Sequence, residues 1–283
     1  MPHRSVSFLI TAVGIPMMFG MYECRPTPSQ TAPTNTAAPA PAVTVSDQKM
    51  MVSKISPTPT TTSTEAVACA AEMREIAGTY CAEVEHLCLA GYPGIGSPWT
   101  VYPGGAKNIE YCESYVVGHA LCKGSQQPLR FCIDRYEYTD STVQKPRVNV
   151  TWYEASKFCA ARGKRLCNDN EWTLACEGPD RLPYPYGWKR DANACNIERT
   201  HRSDIELPGT RPRCVSPFGV YDMTGNVDEW TRNVTLTHAP YISLLKGGHM
   251  LGKVRNRCRP ATTAHSPGFA SDVQSFRCCS AVQ

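Results

Sequence analysis

Fifteen cysteines in 283 residues constrain this chain more than any other feature. No two of them stand in C-x-x-C spacing, so zinc ribbons and thioredoxin-like redox sites find no support. The remaining account is disulfide bonding in an oxidising compartment. Cross-links on that scale suit a chain that cannot hold its backbone by regular structure alone, and 23 prolines and 20 glycines indicate such a chain. The formal charge of +4 is small and scattered, which excludes a nucleic-acid partner.

The first residues fit the same compartment. A short basic start, Met1 to Arg4, precedes the apolar run SVSFLITAVGIPMMFG. That run is short for a membrane span and is broken by Pro16, so it reads as an export signal over 1–24. Cys24 follows and is a candidate lipid-attachment residue, although Glu23 stands where lipoprotein signals place a small residue. Without Cys24 the cysteines number fourteen, an even set that can pair completely. Residues 25–66 are rich in Pro, Thr, Ala and Ser, too poor in apolar side chains to offset ordering entropy, and read as an extended tether. The expected location is exported, periplasmic or cell-surface, with membrane contact only through a lipid at Cys24.

The folded part is expected at 67–283, as one α+β domain with few regular elements. Thr151 and Glu154 stand in capping-box spacing and predict a helix ending at Gly163. Asn168 and Glu171 predict a second, stopped by Gly178-Pro179, with Trp172 and Ala175 on one face. RFCIDRYEY, 130–138, reads as a strand. Adjacent Cys278 and Cys279, if in a strand, point to opposite faces and take different partners.

A set of motifs runs in order along this part: RVNVTWYEASKFCAARGKRLCNDNEW at 147–172, YPYG at 184–187, CNIE at 195–198, FGVYDMTGNVDEW at 218–230, LKGGHM at 245–250 and FRCC at 276–279. In that order they resemble the formylglycine-generating enzyme, or sulfatase-modifying factor, family; MREIAGTY, from Met73, resembles its opening strand more faintly. The resemblance implies a loop-rich α+β fold related to the C-type lectin fold. Active members oxidise a sulfatase cysteine to formylglycine with copper and oxygen, using two cysteines a few residues after the G-G pair. Soft thiolates suit copper(I). Here the first cysteine position falls near Gly252, and the second near Arg257 or, with a one-residue slip, on Cys258. Cys258 is the one catalytic candidate, and its alternative is a disulfide to Cys278 or Cys279. Copper is therefore not expected.

The resemblance also implies calcium, a hard ion that takes oxygen ligands. Asn226, the Val227 carbonyl and Glu229 match one site, with Trp230 packed beneath. Asn196 and the Ile197 carbonyl match a second, with Asp204 or Glu206 as its carboxylate. Arg255, Arg257 and Arg259 alternate, and either face an anionic ligand or bridge loops through carboxylates. Two functions stay open: a calcium- and disulfide-stabilised binding or scaffold module for an unidentified protein or small molecule, and a formylglycine-generating or related oxidase.

Overall fold

The computed structural model describes residues 69–91, 106–107, 112–140, 144–235, 241–252, 255–262 and 265–283. The chain divides into two units, Met1–Thr61 and Thr62–Gln283. The export signal, Cys24 and the whole of the tether lie outside the described residues.

Three small sheets and two short helices carry the second unit. The first sheet takes β1 (Met73–Cys81), β5 (Gln126–Asp134), β11 (Cys278–Ser280) and β6 (Arg165–Leu166), in that order. The second takes β10 (Gln274–Phe276), β7 (Asp228–Arg232), β8 (Ser243–Lys246) and β9 (Ala261–Thr262), with β10 and β7 parallel. The third places β2 (Val84–Gly91) between β3 (Ala106–Lys107) and β4 (Cys112–Cys122).

Helix α1 spans Trp152–Ala160. The Thr151 hydroxyl accepts from the Glu154 amide, and the Glu154 carboxylate accepts from the Thr151 amide, so the predicted capping box forms. Helix α2 spans Asp169–Glu177, and its Glu171 carboxylate accepts from the Asn168 amide. All nine α2 residues are buried, and Trp172, Leu174, Ala175 and Cys176 have no exposed surface. The largest core forms around this helix, where Trp172 and Leu174 meet Ile76 of β1, Phe131 and Ile133 of β5, and Met223. A second core joins Trp230, Leu245 and Phe276 of the second sheet to Tyr138, Val150 and Cys159.

Seven disulfides use all fourteen cysteines beyond Cys24: 69–132, 81–122, 88–112, 159–278, 167–279, 176–258 and 195–214. Cys278 and Cys279 do point to opposite faces of β11, one to α1 and the other to the segment before α2. The expected partner of Cys258 is corrected: it bonds Cys176, in the last turn of α2. Both cysteines of β11 are consumed elsewhere, and the Cys258 amide donates to Pro183 O, which ties that loop to the segment after α2.

Candidate functional site

The loop after β8 is where the sequence places the thiol pair. Gly247 and Gly248 both take positive φ, +87° and +71°. The chain then turns back at Gly252, whose amide donates to His249 O at 2.8 Å. A Cβ at Gly252 would lie 2.6 Å from Asn256 Oδ1 and 3.0 Å from His249 O, so a cysteine there requires the Asn256 side chain to move aside. At the second position the Arg257 guanidinium donates to the Tyr115 hydroxyl of β4 at 2.5 Å. Cys258 is oxidised and fully buried. Among the described residues every cysteine is in a disulfide, so the loop presents no thiol, and Cys258 is corrected from catalytic candidate to cross-link.

The flanking arginines bridge loops. Arg255 pairs with Asp228 at 2.5 Å, and Arg259 makes two 2.7 Å bonds to Glu177. Burial raises the Glu177 carboxyl, while Arg259 opposes that shift.

The Gly-Asn turn of residues 225–229 is held differently from the calcium expectation. The Arg277 guanidinium grips both Glu229 carboxylate oxygens at 2.6 Å, and the Trp172 indole N–H donates to one of them at 2.8 Å. Asn226 Oδ1 accepts from the Glu206 amide and from Asn196 Nδ2, both at 2.9 Å, and its amide nitrogen donates to Glu137. Gly225 has φ +80°, and a Cβ there would meet Asn196 O at 2.5 Å, so only glycine lets the two turns touch. Asn196 Oδ1 accepts from Arg199, and the Asn196 carbonyl accepts from the Asn226 amide. Glu206 forms a two-bond pair with Arg211, and Asp204 accepts from the His201 amide.

The donor set present does not fit calcium. Its side-chain oxygens are already bonded to N–H groups, and the positive charge at Glu229 and Asn196 comes from Arg277 and Arg199. Val227 and Ile197 are buried beside them. Trp230 is buried in the second core, and its indole N–H donates to Val150 O. Around Arg277 lie two further buried carboxyls. Burial pushes Asp222 up to about 6 and Glu137 well above the usual carboxylate range.

A groove of about 1070 Å³ opens beside strand β4. It runs from Leu182 and Tyr186 past Lys189 and Asp191 to Arg213 and Pro217. Strand β4 forms one wall, because the Arg190 amide donates to Glu113 O and the Tyr115 amide to Trp188 O. Asp191 pairs with Arg213 at 2.5 Å, and Tyr186 stacks on Tyr184. Burial pushes the Tyr186 hydroxyl up to about 12, and its oxygen accepts from the Asp191 amide. The result is an apolar floor with charges of both signs at the rim, of a size that takes small ligands or a peptide loop. Sequence reasoning missed this groove, since Tyr186 served there only as a fold motif.

The family model for the sulfatase-modifying factor enzyme 1-like domain matches residues 112–282, more than half of the chain. The chain belongs to that family. The sulfatase-modifying factor fold thus accounts for the loop-rich α+β architecture and its two buried turns. Among curated proteins the chain is similar to "Inactive C-alpha-formylglycine-generating enzyme 2" of Bos taurus, 32% identical over 153 residues, 49% of this chain and 51% of that one. It is also similar to the Bos taurus formylglycine-generating enzyme, 29% identical over 176 residues, 50% of this chain and 46% of that one. The chain spans about half the length of the curated relatives it matches. Among solved structures it is similar to PvdO from Pseudomonas aeruginosa, at 16% identity and TM-score 0.48, covering 74% of this chain and 94% of that one.

Proposed function

We propose that this is an exported sulfatase-modifying-factor-like protein without formylglycine-generating oxidase activity, acting as a binding or scaffold module. The observation that carries the reading is the Cys176–Cys258 disulfide, together with glycine and arginine at the two thiol positions. A copper(I) oxidase needs a reduced thiol pair, and this loop supplies none. The relative whose name reads "inactive" supports the same reading.

The ligand is a protein segment or a small molecule, taken in the groove along Tyr186, Lys189 and Arg213, where the rim charges would orient it. Nucleic acid is not a partner. The module is held by disulfides and arginine–carboxylate pairs rather than by calcium. Seven disulfides are consistent with an extracytoplasmic compartment. The protein is tethered there by residues 25–66, with a lipid on Cys24.

The test counts thiols. Unreduced protein, denatured and treated with maleimide, is expected to show no free thiol in 69–279, and copper(I) is expected to bind no tighter than to a surface site. Two reactive thiols with stoichiometric copper(I) would overturn the reading.

A further inference from the structure

A second cavity, of about 140 Å³, lies across the molecule's main core, beside the loop that precedes β9. Tyr80, Asp169, Thr173, Thr235, Lys246 and Arg259 line it. A cavity of about this size accepts a molecule as large as benzene. Thr235 and Arg259 are partly exposed and form its mouth, whereas Asp169, Thr173 and Lys246 are buried.

Lys246 is 3% exposed and has no carboxylate at ion-pair distance among the described residues. Its amine donates to Arg259 O at 2.8 Å and lies 5.3 Å over the Trp172 ring. The charged and titratable groups around it are few. Asp169 and Glu177 come from α2, Arg259 from the loop, Tyr80 from β1, and Glu229 from the neighbouring strand position. Glu229 is held by Arg277 and Trp172, Glu177 by Arg259, and Asp169 accepts from the Val234 amide and the Thr235 hydroxyl. No carboxylate therefore pairs directly with the ammonium form among the described residues. Burial draws the amine down to about 7, with Asp169 opposing and Arg259 adding to the shift. Burial thus favours the neutral, nucleophilic amine, which an ordinary lysine hardly populates near neutral pH.

We propose that Lys246 is a nucleophilic amine in a small ligand site, and that it condenses with a 2-oxo acid of about six non-hydrogen atoms. The lysine nitrogen adds to the ketone or aldehyde carbon and a C–N bond forms. The carbonyl oxygen leaves as water with the two amine hydrogens, and a C=N bond remains; no oxidant or reductant takes part. Arg259 supplies the carboxylate contact: its Nε and Nη2 are spent on Glu177 and Cys81 O, and Nη1 has no partner among the described residues. The site is independent of the oxidase question, since neither Lys246 nor its cavity includes a residue of the thiol loop's two cysteine positions.

The experiment traps the imine on the full chain with pyruvate or glyoxylate and cyanoborohydride, followed by digestion and mass spectrometry. The expected result is one adduct at Lys246, formed at least tenfold faster than at any other lysine. Its rate should rise through pH 7 and level off by about pH 8.5. Propanal, which lacks the carboxylate, should react tenfold more slowly, and folded Lys246→Arg should give no adduct at that position. Lys246 unmodified, or modified no faster than the other lysines, would overturn the proposal. So would a rate that keeps climbing to pH 10. Equal rates for propanal and pyruvate would remove the assignment of a 2-oxo acid.

Discussion

Replacing Arg277 with methionine removes a cation that faces three buried carboxyls, Glu229, Asp222 and Glu137. Arg277 and Glu229 have side chains 0% and 1% exposed, so water cannot substitute for the lost guanidinium. Both of its bonds to Glu229 vanish, and with them its bonds to the carbonyls of Asp134 and Tyr221. Removing one partner of such a pair costs about 3–5 kcal/mol. For a domain of this size that is a fall of roughly 6–20 °C in melting temperature.

The pH dependence has a definite sign. Burial pushes the folded Asp222 carboxyl up to about 6 and Glu137 well above the usual carboxylate range, and Arg277 opposes both shifts. A carboxyl raised in the folded state binds more protons folded than unfolded, so it costs stability as pH climbs from about 4 through its folded value. Without Arg277 those values rise further, and the loss at pH 7.5 should exceed the loss at pH 5. Arg277→Met/Glu229→Gln should recover part of it, because the uncompensated charge is gone while Trp172 keeps its acceptor. Scanning calorimetry with disulfides intact measures all three proteins. A chelator should leave the wild-type melting temperature unchanged, as the turn's side-chain oxygens are already taken by N–H groups. A loss under about 1 kcal/mol, a loss larger at pH 5, or a clear fall on chelation would refute the reasoning.

Two further outcomes follow from the cross-links and the tether. Cys176→Ala/Cys258→Ala opens a loop of 82 residues and should cost about 4–5 kcal/mol on chain-entropy grounds, read as a drop in denaturant midpoint without any gain of copper binding. Labelled palmitate should enter the wild-type chain in a lipoprotein-processing host and be lost in Cys24→Ala; secreted, unlabelled wild type would reject the anchor.

Local features of the sequence translated directly into structure. Thr151 and Glu154 form their box because both partners lie within one turn, and Gly163 takes the left-handed conformation, φ +68°, that ends the helix. The ordered motifs gave the fold, since each marks a turn with strict backbone demands. Pairings over distance were not legible. Glu229 looks like a cation ligand until Arg277, 48 residues on, is seen to be its cation. Cys258 has several cysteines within plausible reach in sequence, and only the placement of α2 selects Cys176. The β2–β4 sheet escaped notice because β4, CESYVVGHALC, mixes exposed and half-buried positions and lacks a clean alternation. Lys246 stood in a motif that reads as a fold marker, and its chemistry depends on burial that the motif does not encode.

The seven disulfides fall into two sets that never cross: three lie within 69–132 and four within 159–279. For a chain threaded through an export channel from its N-terminal side, that partition is a schedule. The six cysteines of 69–132 can be sorted among themselves while the later eight are still unavailable, a choice among 15 arrangements followed by one among 105. A chain whose bonds spanned both halves would have to hold its early thiols reduced until the last had emerged. Maturation of this protein can therefore proceed in two rounds of oxidation, with an error in one round confined to its own set.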